Sequence, residues 1–211
     1  MSDKLCIDLC SGLGGFSQAF VDAGWEVITV DIEARFNPTI CADITKLTAQ
    51  EIESRTKLAN FRAYQKVVVW ASPPCERFSV ATPYWPKKGI RKALDIVGAT
   101  IELIIDIKPD YWMLENPRGR LRWFLNAPPN SIKLKDYGFK RGVSNSKPRR
   151  PTKPTDLWGN ITFSFLPREV ATELQIYNPP GHKNQMKRTA YNAEMPKEFS
   201  QTILEAVESQ P

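Results

Sequence analysis

Short apolar runs alternate with amphipathic stretches along the first 125 residues. Leu5-Cys6-Ile7-Asp8-Leu9 is a strand-like run that stops at a glycine-rich turn. Residues 14–23 then read as a helix, with Phe16, Ala19, Phe20 and Ala23 at helical spacing and Gly24 where a C-terminal cap belongs. Residues 25–32 are β-rich and residues 48–58 read as helical. Residues 67–71, Val-Val-Val-Trp-Ala, have the unbroken apolar character of a buried strand. A long amphipathic helix is predicted from Ile90 to Ile107, ending before Pro109, and residues 111–114 form a further strand. Alternating β and α units of this length predict an α/β fold with a mostly parallel sheet and helices on both faces.

The regularity fades after residue 125. Residues 126–155 are rich in Pro, Lys, Arg, Ser and Asn and predict a long exposed loop, with a strand over 132–137. A late strand over 157–165 and a short helix over 167–176 follow, and residues 177–196 are polar and irregular. Pro196, at a first helical turn, opens a C-terminal helix over 197–208. With no internal repeat and no second core, a single domain over residues 1–211 is expected, and residues 126–160 are its basic loop region.

Composition narrows the class. With 211 residues, 42% apolar and 25% charged, the chain is globular and long enough to bury one sizeable core. No apolar run reaches the roughly 18 residues that span a bilayer. The first five residues carry no signal-peptide apolar region, so a cytoplasmic protein is expected. The cysteines (Cys6, Cys10, Cys41, Cys75) include no Cys-x-x-Cys pair and His182 is the only imidazole, so reduced thiols and no metal site are expected. The net charge of +6 is uneven. Residues 1–60 hold 5 basic and 9 acidic side chains, whereas residues 61–125 hold 11 and 6, and residues 126–211 hold 13 and 8. The acidic first third does not suit a polyanion; the basic remainder does, or is ordinary solvated surface.

Three turns carry candidate chemistry. Asp8-Leu9-Cys10-Ser11-Gly12-Leu13-Gly14-Gly15-Phe16 follows a strand and opens a helix, where glycines let the backbone approach a ligand. A dinucleotide fingerprint wants glycine at position 17, and Ser17 stands there, which disfavours a hydride-transfer cofactor. Asp31 lies 19 residues after Gly12, near the spacing at which a carboxylate accepts hydrogen bonds from ribose hydroxyls; a purely structural turn is the alternative. Asp43, after a further short segment, is placed to accept from an adenine amino group. Next, Ser72-Pro73-Pro74-Cys75-Glu76-Arg77-Phe78-Ser79 follows the buried strand at once. Two prolines fix the backbone and hold Cys75 at the carboxyl edge of the sheet, where it suits a nucleophile better than a buried structural thiol. Finally, Leu114-Glu115-Asn116-Pro117-Arg118-Gly119-Arg120 puts Glu115 on that same edge, where a partly desolvated carboxyl group can share a proton with a base ring nitrogen. Arg118, Arg120 and Arg122 supply positive charge beside it, and a surface ion-pair cluster is the bland alternative.

Together these turns resemble the cytosine-C5 DNA methyltransferase family. The likeness runs through Asp8 to Phe16, through Pro73-Pro-Cys-Glu-Arg-Phe-Ser79 and through Glu115-Asn-Pro117 in the family's order, and covers residues 4–125. More weakly, Tyr191-Asn192-Ala193-Glu194-Met195-Pro196 is similar to the family's last motif. The resemblance implies a Rossmann-like, S-adenosylmethionine-dependent methyltransferase fold. It implies that Gly12, Gly14 and Phe16 border the cofactor, that Asp31 holds its ribose and Asp43 its adenine, and that Asn192 lies near it. Asp8, Cys10, Ile32, Ile44 and Pro73 are assigned to the same site. It further implies that Cys75 attacks C6 of cytosine while Glu115 assists at N3, so that C5 becomes nucleophilic and takes the methyl group. The base must leave the stack to reach such a pocket, whether flipped from a duplex or taken from a single strand.

The departures are instructive. The family's Gln-x-Arg-x-Arg motif after Glu-Asn is missing. In its region stands Lys153-Pro-Thr-Asp-Leu-Trp-Gly-Asn160, which resembles small viral members of the family, and Arg149, Arg150, Lys153 and Thr155 are all candidates for the arginine's role. About 30 residues separate Asn160 from Asn192, too few for a separate target-recognition module. Nucleic-acid contact is therefore assigned to Arg77, Ser79, Arg118, Arg149, Arg150, Lys153 and Thr155, with residues 140–153, which hold six basic side chains and no acidic one, as the main phosphate-contacting loop. Short or relaxed specificity follows. DNA is the expected partner, with RNA and a catalytically silent nucleic-acid-binding role as alternatives. Asn178-Pro-Pro-Gly181 lacks the aromatic residue of the amino-methyltransferase motif and reads as a turn.

Overall fold

A computed structural model of the chain describes residues 2–79, 89–125, 130–137, 154–163 and 195–211. Seven strands form one sheet: β1 (Lys4–Leu9), β2 (Glu26–Asp31), β3 (Ile40–Cys41), β4 (Lys66–Ala71), β5 (Tyr111–Pro117), β6 (Asn130–Lys133) and β7 (Pro154–Gly159). Their order is β3-β2-β1-β4-β5-β7-β6. The first five strands run parallel, and β7 pairs antiparallel with both β5 and β6. The helices are α1 (Gln18–Asp22), α2 (Ala49–Glu53), α3 (Ile90–Ile107), α4 (Arg122–Leu125) and α5 (Lys197–Ser209). The expected α/β architecture with a mostly parallel sheet is present. Among the described residues no helix is long and apolar enough to cross a membrane.

The unbroken apolar strands divide cleanly between two faces. Leu5, Ile7 and Leu9 join Val67, Val69, Ala71 and Leu114 in one buried cluster, which α3 covers with Val97, Leu103, Ile104 and Ile107. Cys6, Val68, Trp70 and Met113 point to the other face, under Phe16, Phe20, Phe199 and Ile203 of the α1 and α5 regions. Period-two alternation in strands buried on both sides produces this division.

Several predicted boundaries shift for local reasons. The helix expected over 14–23 begins only at Gln18, because Gly14 sits at φ +72 and the backbone between it and Ser17 turns instead of coiling. Gly24, at φ +78, closes α1 as anticipated. Thr48 and Glu51 form a capping box at α2, but that helix stops at Glu53, short of residue 58. There the Thr56 hydroxyl takes the Glu53 carbonyl, and the Glu53 carboxylate accepts from Phe61 N. The strand expected over 132–137 is paired only through Lys133 and then winds into a 3-10 turn. The late strand runs earlier than predicted, over Pro154–Gly159 and not from residue 157 to 165. Asn160 ends it by accepting from Trp112 N and donating to the Asp110 carbonyl. The helix expected over 167–176 lies outside the described residues.

Candidate functional site

The chain leaves β1 toward β2 and β3 on one side, then returns to lay β4 on the other side of β1. The order therefore reverses between β1 and β4. In open parallel sheets the crevice outside the carboxyl ends of the strands at such a reversal is where ligands bind. The glycine turn follows β1 there, and the Pro-Pro-Cys turn follows β4.

The glycine turn is built for backbone exposure. Cys10, Gly12 and Gly14 all adopt positive φ, at 58°, 54° and 72°. No atom lies within 4 Å of where a Gly12 Cβ would sit, so the turn opens to space. Asp31, at the end of β2, fastens it: one carboxylate oxygen accepts from Gly12 N at 2.8 Å and the other from Glu33 N at 2.8 Å. Asp31 thus shapes the turn. Phe16 is buried and stacked on Trp70 at 3.9 Å, packing beneath the turn. Ile32 is exposed beside it and Ile44 is buried. The Asp43 carboxylate accepts from Thr45 N and from the Thr45 hydroxyl, which holds its pKa below the usual range.

Asp8 is the unusual group. It is buried, and its Oδ2 has no hydrogen-bond partner. Burial pushes its carboxyl up to about 7 and the Asp31 charge adds to the rise, against hydrogen bonds from Ser17. Burial, with the Asp31 and Asp8 charges, likewise pushes the Cys10 thiol up to about 12. An open glycine turn, a carboxylate at the end of β2 and an orphaned buried acceptor fit a ligand with ribose hydroxyls and a cationic amino group, the polar features of S-adenosylmethionine.

On the β4 side, Ser72 N continues the ladder to the Leu9 carbonyl, and the chain then turns through Pro73 and Pro74. The Cys75 carbonyl accepts from Phe78 N and Ser79 N, both at 2.9 Å, which closes a tight turn over the fully buried Phe78. Cys75 itself is partly exposed. Arg77 lies against Gly89 at the start of α3.

The Glu-Asn-Pro turn is tied directly to this one. Asn116 is fully buried, and its Nδ2 donates to the Pro73 carbonyl at 3.0 Å. Ser79 and Gly119 form an antiparallel bridge, Arg120 N donates to the Phe78 carbonyl at 2.8 Å, and the Arg120 guanidinium reaches the Ser79 carbonyl at 2.9 Å. Gly119 must be glycine, since a Cβ would run into the Phe78 carbonyl oxygen. Cys75 and the buried Glu115 are thereby held in two turns that form one unit at the carboxyl edge.

The three arginines after Glu115 have different roles. Arg122 forks onto the fully buried Asp156 of β7, at 2.5 and 2.7 Å, and also donates to Ser131. Arg120 clamps the Cys75 turn. Arg118, about half exposed, keeps its guanidinium 3.5 Å from Asp156. Thr155 is buried opposite Pro117, two places along β7 from Leu157, the partner of Glu115, and so shares that carboxylate's face of the sheet. Arg149, Arg150, Lys153, Asn192, the basic stretch 140–153 and the Asn-Pro-Pro-Gly segment lie outside the described residues. Sequence reasoning missed Asn116 and Asp156 as organising groups. Asn116 sits inside a quoted motif, and Asp156 is a lone acid beside a basic stretch; those were the available signals.

A model of C-5 cytosine-specific DNA methylases matches residues 5–123, more than half of the chain. The "Probable DNA (cytosine-5)-methyltransferase" of Frog virus 3 (isolate Goorha) is 26% identical over 185 residues, which cover 78% of this chain and 74% of that protein. "Type II methyltransferase M.AplI" of Arthrospira platensis is 31% identical over 121 residues, 57% of this chain but 33% of that one. Among solved structures, a "putative DNA modification methyltransferase encoded within prophage" (E. coli) superposes with a TM-score of 0.51 at 18% identity, over 74% of this chain and 45% of the other. That likeness speaks for the fold. The chain thus spans most of its viral relative but half or less of the bacterial and prophage proteins. With the crevice at the strand-order reversal, the Pro-Pro-Cys and Glu-Asn-Pro turns and the extended family match in agreement, the chain belongs to the C-5 cytosine-specific DNA methylases, enzymes that draw their methyl group from S-adenosylmethionine.

Proposed function

We propose that this chain methylates C5 of cytosine in DNA through a covalent adduct to Cys75. The observation that carries this reading is the junction of the two turns: Asn116 to the Pro73 carbonyl and Ser79 to Gly119 hold a partly exposed cysteine and a buried glutamate on one strand edge. The crevice beside that edge suits S-adenosylmethionine, held by the Gly12–Gly14 backbone, Asp31 and Asp8. When bound, the cofactor supplies an electrophilic methyl group.

The chain's own residues do the rest. The Cys75 thiolate adds to C6 of an unstacked cytosine, and the electron pair of the C5–C6 double bond becomes available at C5. Glu115 holds a proton at N3, which removes the negative charge that would otherwise build on the ring. After C5 is methylated, its proton leaves to a solvent base, the C5–C6 double bond re-forms and the thiolate is expelled. Recognition falls to loops on a single domain. Phosphate contacts position a strand without reading it, so specificity is short or relaxed.

The test supplies labelled S-adenosylmethionine with duplex DNA, single-stranded DNA and RNA, and maps 5-methylcytosine. Label is expected in DNA, with loss of transfer in Cys75→Ala and a Cys75-dependent adduct on 5-fluorocytosine DNA. Transfer at full rate by Cys75→Ala removes the nucleophile. Label in RNA alone moves the activity to that polymer, and label in none ends the enzymatic reading.

A further inference from the structure

Arg120 lies just past the Glu-Asn-Pro motif, where the sequence offers it as a charge beside Glu115. The structure turns it toward the other catalytic group. Its backbone N–H donates to the Phe78 carbonyl at 2.8 Å, and its guanidinium donates to the Ser79 carbonyl at 2.9 Å. Both acceptors belong to the turn that carries Cys75.

The two sides of that turn are held by different means. On the near side, Ser72 N still ladders to the Leu9 carbonyl at 3.0 Å. Pro73 and Pro74 then fix the backbone without an N–H to donate, and the Pro73 carbonyl accepts from Asn116 Nδ2 at 3.0 Å. From Cys75 to Ser79 no proline stiffens the chain. There the N–H groups of Phe78 and Ser79 turn inward onto the Cys75 carbonyl, so their own carbonyl oxygens face the next segment, and Arg120 takes both in succession. Burial of Phe78 holds the turn down, while Arg120 holds its backbone beside Gly119, where the two segments bridge. A charged donor makes the stronger kind of hydrogen bond to a carbonyl. The contact has no slack, because a Cβ at Gly119 would run into the Phe78 carbonyl oxygen. A displacement of one segment is therefore passed to the other.

We infer that Arg120 is a positioning residue for Cys75: its guanidinium latches the far side of the nucleophile's turn to the segment that follows Glu115, so that both groups address one base. The inference rests on the proposed methyl transfer. It assigns the Arg120 charge to the geometry of the thiolate and not to a general field beside Glu115. The latch needs one N–H at the Ser79 carbonyl, so an ammonium of similar reach can replace the guanidinium.

The experiment follows methyl transfer together with iodoacetamide labelling of each cysteine, read by mass spectrometry of the full chain's peptides. Exposed Cys41 serves as the reference thiol and buried Cys6 reports unfolding. Arg120→Ala is expected to lower kcat about tenfold or more while KM for S-adenosylmethionine stays within about twofold, the pattern of a misplaced catalytic group. The freed turn is expected to label at Cys75 about threefold faster than in the wild type, with Cys41 unchanged and Cys6 protected. Arg120→Lys is expected to restore both quantities. Arg120→Gln, whose amide falls short of the carbonyl, is read in the same way should Arg120→Ala not fold. Unchanged Cys75 labelling in the variants overturns the inference. So does slower labelling that recovers at high pH, which would make Arg120 an electrostatic activator of the thiolate, or labelling of Cys6 in step with Cys75, which would make it a support of the whole fold. A wild type that transfers no methyl group ends the proposed reaction and this inference with it. Transfer by the wild type with kcat unmoved in Arg120→Ala leaves the reaction standing and removes this inference alone.

Discussion

Asp8 at the end of β1 and Asp156 on β7 are both buried aspartates at the same edge of one sheet, yet they are treated in opposite ways. Asp156 receives a forked guanidinium from Arg122, a hydroxyl from Ser131 and a nearby second cation, Arg118. Asp8 receives help from Ser17 alone, faces the charge of Asp31, and leaves Oδ2 without a partner. A carboxylate satisfied from within the chain is a fastening. One left short of donors and pushed up to about 7 marks a place prepared for something from outside. Of these two carboxylates, the one on the parallel, acidic side therefore carries an unmet need and the one on the antiparallel, basic side is locked, while Asn116 Oδ1 and Trp158 Nε1 on that basic side are also buried without a partner. On the proposed function this is a division of labour, Asp8 being assigned to a small cationic cofactor and Asp156 to the support of the turns that carry Cys75 and Glu115.

The largest expected effect breaks the lock. Arg122→Ala leaves the fully buried Asp156 without its forked partner, at a cost of about 3–5 kcal/mol toward the lower end because Arg118 and Ser131 remain. Asp156→Ala is expected to cost less, about 2 kcal/mol, because the partly exposed Arg122 can return to water. Urea denaturation of the two variants reads the asymmetry directly. Equal losses would mean that the carboxylate is less isolated than its burial indicates.

The next test concerns Asp8. An acid whose folded pKa lies above its unfolded value binds its proton more tightly when folded. The stability it lends is therefore present at low pH and lost as pH rises from about 3.8 to about 7, with no further change from this group above that. Its ionisation costs the fold about 2–4 kcal/mol by pH 8. Asp8→Asn is expected to remove that slope and to be more stable than the wild type above pH 7, while losing affinity for S-adenosylhomocysteine. Denaturation curves across this window, with binding calorimetry, check both halves. A variant as pH-sensitive as the wild type would place the slope elsewhere.

What was legible in the sequence follows the range of the interactions involved. Strands β1 and β4 and helix α3 are written in local apolar pattern, and the chemistry-bearing turns lie directly at strand ends, so the positions of Asp8, Cys75 and Glu115 at the carboxyl edge could be read from their neighbours in the chain. The ends of α1 and α2 were misjudged because Gly14 and Thr56 redirect the backbone by conformation and side-chain bonding that an apolar pattern does not register. Asn116 to Pro73, Ser79 to Gly119 and Arg122 to Asp156 join segments 34 to 43 residues apart. Nothing local signals such pairings; they exist only once β4, β5 and β7 lie side by side. The role of Arg122 illustrates the consequence. Sequence reasoning counted it among the charges beside Glu115, whereas most of its bonding capacity is spent on Asp156.

The smallest expected effect on stability sharpens the division within the basic side itself. A Cβ at Gly119 would meet the Phe78 carbonyl, and a Cβ at Gly159 would meet the Trp112 carbonyl, so both Gly→Ala changes force backbones apart and cost about 1–3 kcal/mol each. Their functional consequences differ, because Gly119 joins the Cys75 turn to the Glu115 turn while Gly159 ends β7 against β5, away from that junction. Gly119→Ala is therefore expected to lower kcat for methyl transfer by about a hundredfold, since small misplacements of a catalytic group have effects of that size. Gly159→Ala is expected to leave kcat within about twofold at temperatures where it stays folded, an amount of rate change worth less than 1 kcal/mol. Matched losses of stability with unmatched losses of rate would assign the junction to catalysis; matched losses of both would reduce it to packing.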